Sequence, residues 1–326
     1  MRGFSMWKRD GDFSLNELFK RNSFILSAVL IIGVFSVINP KFLSLYSLQN
    51  MSLEIAPLLP MACGIGFVLY SGSIDLSIGA VASVACVIAG TYVTETGHWI
   101  ILYMVLFGVV AGLINGSLIA VLKLPSFIVT LCAQSVWRAM AIIISKGSSN
   151  TIPIKQRWIV NWATDKFLDF PVILWISLAL VILCLVIERK TELGKSIFAI
   201  GANEKAARLA GVHTIKIKIL TFVLCSTGAA IGGIMYAYKL KSSVPTIGDN
   251  LYMMAISSVA LGGTLFSGGS GSVLRTLIGV ISVMAISSGM NMAGVNPLWK
   301  DVVFGCVLIA AVAINSEKGG RSLIIK

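Results

Sequence analysis

The chain of 326 residues is 56% hydrophobic and only 12% charged, about half the roughly 25% charge that a soluble globular protein carries. With a mean hydropathy of +0.89, no soluble packing hides this much apolar surface, because most residues of a small protein lie near its outside; a soluble enzyme, a secreted disulfide scaffold and a disordered tail are excluded. Lipid is the solvent, and the net charge of +12 speaks to orientation in it and not to nucleic acid, since Lys and Arg accumulate in cytoplasmic loops.

Residues 1–22 carry Arg2, Lys8, Arg9, Lys20 and Arg21, too charged for the start of a cleaved signal peptide, and are expected to be a cytoplasmic N-terminal segment. Apolar stretches near the ~20 residues that span a bilayer predict ten membrane helices, over about 24–38, 51–70, 76–93, 99–122, 126–145, 171–187, 219–238, 251–266, 273–291 and 299–314. The expected fold class is all-α: one polytopic transmembrane domain over 23–315, then a cytoplasmic tail, 316–326. With the N-terminus inside, the inner segments hold 17 Lys and Arg against 8 outside. Both termini are therefore expected in the cytoplasm.

Between the second and third spans, Ser71-Gly72-Ser73-Ile74-Asp75-Leu76-Ser77-Ile78-Gly79-Ala80 sets an acid, hydroxyls and glycines among apolar residues. It reads either as a bare tight turn or as a broken helix of the kind that lines transporter cavities. Asp75 suits the positive start of the third helix, with Ser73 and Ser77 shaping the turn. In the fifth span, Arg138 follows Trp137; an intramembrane cation faces a polar cavity or a partner unless it snorkels to the interface. The outer loop 146–170 contains Pro153, Trp158 and Trp162, aromatics that suit a membrane interface. Glu54, Glu188 and Asp301 lie near predicted helix ends.

The inner loop 189–217 holds Gly201-Ala202-Asn203-Glu204-Lys205-Ala206-Ala207-Arg208-Leu209-Ala210-Gly211. Asn203 suits an N-cap, Glu204 the positive end, Arg208 the negative end, and Gly211 the stop, which predicts a short self-contained helix over 203–210. A helix of two turns is unstable alone; it docks either on a partner or on the lipid surface. Gly194-Lys195-Ser196 resembles the end of a phosphate-binding loop, but Arg189 stands where that motif requires glycine, so no nucleotide site of this type is expected. Gly262-Gly263-Thr264-Leu265-Phe266-Ser267-Gly268-Gly269-Ser270-Gly271 repeats the character of 71–80, with Gly72-Ser73-Ile74 faintly matching Gly263-Thr264-Leu265. Six cysteines fall in apolar runs without shared spacing, and the two histidines, His98 and His213, stand apart. They predict reduced thiols and no metal cluster.

Taken in order, Asn39-Pro40-Lys41-Phe42-Leu43-Ser44, Ile74-Asp75-Leu76-Ser77-Ile78-Gly79, Leu124-Pro125-Ser126-Phe127-Ile128-Val129-Thr130-Leu131, Thr191 with Gly194, Ala199-Ile200-Gly201 with Asn203, Ala206 and Ala207, and Gly262-Gly263-Thr264 with Ser267, Gly268, Gly269 and Gly271 resemble the ribose-type permeases of ATP-binding-cassette sugar importers. Cys132 replaces the usual glycine after Thr130-Leu131, and Ser270 stands where Arg or Lys is frequent. The resemblance implies a permease in the bacterial inner membrane that translocates a monosaccharide. Its implied partners are a second permease, identical or homologous, cytoplasmic ATPase subunits that bind ATP and Mg, and an extracytoplasmic sugar-binding protein. No cofactor or catalytic residue is implied in this chain.

By the same resemblance Gly201, Asn203, Glu204, Ala206, Ala207, Arg208, Leu209 and Gly211 form the segment that couples to the ATPase. Ser73, Asp75, Ser77, Arg138, Thr264 and Ser267 are the candidates for the translocation pathway. The alternatives are the branched-chain amino-acid branch of these permeases, which carries Asn-Phe-Ala where Asp75-Leu76-Ser77 stands here, and an ion-coupled transporter, which needs intramembrane carboxylates. An intramembrane enzyme lacks a paired nucleophile and base.

Overall fold

The computed structural model describes residues 23–316. The expected segments 1–22 and 317–326, with their Lys and Arg, lie outside them. Eleven helices carry the fold: α1 (Ser23–Ile38), α2 (Leu45–Tyr70), α3 (Ile78–Thr96), α4 (Trp99–Ala120), α5 (Ser126–Ser145), α6 (Val172–Lys190), α7 (Glu192–Leu209), α8 (Thr214–Leu240), α9 (Gly248–Leu261), α10 (Val273–Met292) and α11 (Trp299–Ser316). Each of the ten expected spans is helical, and α2, α3, α4, α5, α6, α8 and α10 are long and apolar enough to cross a membrane. The protein is all-α and polytopic.

Helix α8 is the axis, packed along α2, α3 and α4. Lipid gives helices no hydrophobic reason to associate, so close backbone approach between small residues does the work. Gly112 of α4 sits with its α-carbon against the backbone of Phe222 and Val223, and Gly116 beside Ile219. On another face of α8, Gly228 and Gly232 meet the carbonyls of Pro60 and Pro57, inside α2. These are the carbonyls of a helix whose interior ladder the prolines interrupt. Buried Leu58, Leu59, Met61, Phe67, Phe222 and Val259 fill the core around these contacts.

The structure differs from the sequence expectation in three places. Helix α9 begins at Gly248 and ends at Leu261, not at 266, because Gly263 turns with φ +78°. The inner helix expected over 203–210 is present as the segment after a kink at Asn203, but an unexpected helical segment from Glu192 precedes it, anchored by buried Ile197 and Ile200. In the outer loop, Trp162 is not an interfacial ring but packs edge-on against buried Tyr238 at 5.9 Å. Two short antiparallel ladders order that loop, Asn150 and Thr151 with Ser242 and Ser243, and Lys166 and Phe167 with Phe170 and Pro171.

The connections expected inside gather at one end: the break 71–77 touches 268 and 201, Ile74 meets Ser126, and Glu188 meets Val273. Those expected outside gather at the other, where Gln49 reaches Asp169 and Asn39 reaches Met292.

Candidate functional site

The end of α7 is built by local rules. Thr191 caps its start by accepting the Gly194 N–H at 3.2 Å. At Asn203 the backbone leaves helical geometry (φ −162°, ψ 101°), and the Asn203 Oδ1 accepts the Ala206 N–H at 3.1 Å, which restarts the helix as an N-cap does. It stops where the Gly211 N–H bonds the Arg208 carbonyl and the Val212 N–H bonds the Ala207 carbonyl, both at 3.0 Å, with Gly211 at φ +88°. That double bond is the left-handed stop that glycine permits.

The two faces of this last turn differ. Ala207 is buried, while Ala206, Leu209 and Ala210 point outward, Leu209 at 90% exposure. Glu204 and Arg208 are held back on the protein. The Lys218 Nζ donates to Glu204 Oε2 at 2.8 Å, Arg208 pairs with Glu204 at 3.5 Å, and Arg208 also donates to Thr214 Oγ1 at 3.3 Å.

Behind the kink lies a junction of bare backbone. A side chain on Gly201 would overlap the Tyr70 carbonyl and the Gly269 nitrogen, and one on Gly268 would meet Gly72. The Gly269 N–H donates to the Tyr70 carbonyl at 2.9 Å. Tyr70, fully buried at the end of α2, stacks on Phe198 of α7 with centroids 5.0 Å apart, and its hydroxyl lies 3.2 Å from Thr276 Oγ1 in α10. The Glu188 Oε2 accepts the Val273 N–H at 2.6 Å, a carboxylate at the positive start of α10. One residue thus ties α7 to two spans and to the glycine loop after α9.

The break 71–77 is locked from within. The Asp75 Oδ1 accepts the Ser77 N–H at 2.8 Å and the Ser77 hydroxyl at 2.6 Å, and the Asn115 amide donates to Ser77 Oγ at 2.9 Å. Ser77, not Asp75, is the N-cap of α3; the carboxylate closes a side-chain turn that leads into the helix. The Ile74 N–H donates to Ser126 Oγ at 3.2 Å. Asp75 is wholly buried, with the Cys225 thiol of α8 beside its carboxyl. Burial pushes its carboxyl above the ordinary value, against the pull of the two Ser77 bonds.

Arg138 lies elsewhere. Its Nη2 donates to Asp249 Oδ2 at 2.8 Å, in the first turn of α9. That turn is fixed by the Gly248 N–H, which donates to Ser83 Oγ at 3.0 Å, and by Gly248 lying against the Gly79 carbonyl.

A family model described as branched-chain amino acid transport system / permease component matches residues 47–312. The ribose import permease protein of Bacillus subtilis (strain 168) is 32% identical, over 90% of this chain and 92% of that protein. The L-arabinose transport system permease protein of Escherichia coli (strain K12) is 32% identical, over 90% and 89%. The L-arabinose ABC transporter permease protein of Azospirillum brasilense is 28% identical, over 95% and 91%. No solved structure matches. The chain belongs to this permease family.

In the permease, the expected coupling residues lie along the end of α7 but not on one face: Gly201 and Ala207 are turned into the protein, while Asn203, Ala206, Leu209 and Gly211 are exposed. Of the six expected pathway residues, Ser73, Asp75 and Ser77 share the break 71–77, with Ser267 beside it, and Arg138 stands apart on Asp249. Ser73, Asp75, Ser77 and Thr264 are buried, and Ser267 is exposed beside Gly72 at the junction. Only Arg138 combines a charge with an accessible face remote from the junction. Sequence reasoning missed Tyr70, whose role comes from four contacts far apart in the chain, and Asp249, whose position in a first helical turn was the available signal. The matched family and the seven long apolar helices make the protein a multi-pass membrane permease component of a transport system.

Proposed function

We infer that this permease carries a monosaccharide of the ribose or arabinose type inward across the cytoplasmic membrane, as the membrane subunit of an ATP-binding-cassette importer. A second permease, ATPase subunits that hold ATP and Mg, and an extracytoplasmic binding protein complete the assembly. The ribose and L-arabinose permeases among its relatives support the sugar. The 17 to 8 charge asymmetry supports cytoplasmic termini and, with them, an α7 end on the inner side.

The observation that carries the coupling role is the last turn of α7. Leu209 stands 90% exposed on a small apolar face, while the opposite face is pinned to α8 by Lys218 and Thr214. Such a face seats in a partner's groove. Work delivered there reaches α2, α10 and the 262–272 loop through Gly201, Phe198 and Tyr70. Arg138 belongs to the route of the sugar.

The test is uptake in proteoliposomes holding the complete transporter, with D-ribose, L-arabinose and L-leucine as probes. ATP-dependent uptake of either sugar is expected, and uptake of L-leucine alone overturns the sugar. A Leu209→Asp variant should insert normally but lose ATPase copurification and uptake, because it sets an unpaired charge in the contact. Normal copurification and transport by that variant would move the coupling site elsewhere.

A further inference from the structure

The Arg138/Asp249 pair sits where lipid alone cannot explain it. The two side chains are 51% and 37% exposed, and a charge on a membrane helix is expensive unless it faces polar surroundings or a partner. Ser135 on the same face of α5, and Thr246 and Asn250 beside Asp249, are also exposed. Polar side chains thus flank the pair on both elements, among exposed apolar residues of α5 such as Val136 and Ile142.

The packing adds the second observation. Helices α5 and α9 each pack on α3, and make little direct contact with each other. Their footholds differ: Ala141 of α5 is buried with Val84 and Val87 of α3, while α9 starts with Gly248 on Gly79 and Ser83. The charged pair bridges them directly, joining residues 111 positions apart in the chain at 2.8 Å. A guanidinium offers several fixed donors, and a carboxylate accepts only. Adjacent hydroxyls of a neutral sugar can take both places at once, accepting from Arg138 and donating to Asp249. No net charge is then left unpaired.

We propose that the Arg138/Asp249 pair is a strut between α5 and α9 that closes the route in the resting permease and is replaced, bond for bond, by the hydroxyls of the passing sugar. Asp249 thereby becomes a route residue alongside Arg138. This rests on the monosaccharide reading above. The strut makes opening conditional on a polyol. Without it, α5 and α9 separate on each ATPase cycle whether or not sugar is present.

The readout is therefore sugar delivered per ATP hydrolysed, which a merely structural role would not move. Proteoliposomes of the complete transporter are assayed with D-ribose and with L-arabinose, for wild type, Arg138→Gln, Asp249→Asn and the exchange Arg138→Asp with Asp249→Arg. Copurification of the ATPase confirms assembly of each. The single variants should hydrolyse ATP near the wild-type rate and deliver about tenfold less sugar per ATP, a factor equal to ~1.4 kcal/mol of lost discrimination; the exchange should recover most of the loss. Single variants with wild-type yield per ATP overturn the strut, and so does an exchange that recovers nothing. Wild type that carries neither sugar overturns the monosaccharide reading itself, and the strut with it, and is told apart because the failure precedes any substitution.

Discussion

The helices α3 and α9 start alike and end up in opposite circumstances. Ser77-Ile78-Gly79 leads into one and Thr246-Ile247-Gly248 into the other, and the two glycines lie against each other. Each start has an acid nearby. Asp75 is turned inward, wholly buried and bonded to its own turn, whereas Asp249 is turned outward and spent on Arg138. The same residue type therefore builds a fixed point on one side of the glycine contact and a reachable charge on the other. Chain direction decides it: Asp75 precedes its glycine and is covered by α4 through Asn115, while Asp249 follows its glycine and faces the gap toward α5.

Breaking the glycine contact should have the largest effect. Gly248→Val puts a side chain into the Gly79 backbone and should cost about 3 kcal/mol, the upper range of overpacking. Thermal unfolding of the purified permease in detergent should show it as a lower midpoint. Asp75→Ala is next. It leaves the buried Ser77 N–H without its acceptor and should cost about 2 kcal/mol in the same measurement, whereas Asp75→Asn retains the Oδ1 acceptor and should stay within about 1 kcal/mol of wild type.

The pH dependence sharpens the contrast. Because burial raises the Asp75 carboxyl above its ordinary 3.8, the folded state binds this proton more readily than the unfolded chain. The contribution is complete below the ordinary value and is lost as pH rises through the raised folded one. The unfolding midpoint of wild type should therefore fall behind that of Asp75→Asn between acid and neutral pH; a constant difference would mean that the carboxyl is not held protonated. The smallest effect on stability belongs to Asp249→Asn. An ion pair this exposed is worth less than about 1 kcal/mol, so its midpoint should barely move even as sugar delivered per ATP falls.

The spans, the caps and the inner helix were legible in the sequence because each is decided by near neighbours. Apolar runs fix where a chain can cross lipid, Asn203 bonds an amide three residues on, and Gly211 stops the turn that contains Arg208 and Ala207. The helix end at 203–211 followed from that local code; its coupling role came from the resemblance alone.

What the sequence could not supply was which side of each helix meets which partner. It grouped Asp75, Arg138 and Thr264 as one pathway because polar residues in apolar runs look alike, although two of them are buried and one is open. Tyr70 gave no signal at all: an aromatic at the end of an apolar run becomes a hub only when α7, α10 and the glycine loop arrive around it. Local bonding within a few residues determined the helices and their ends. The packing of glycine backbones on α8 and α3, set by contacts between distant stretches of chain, decided which polar groups are locked inside and which stay accessible.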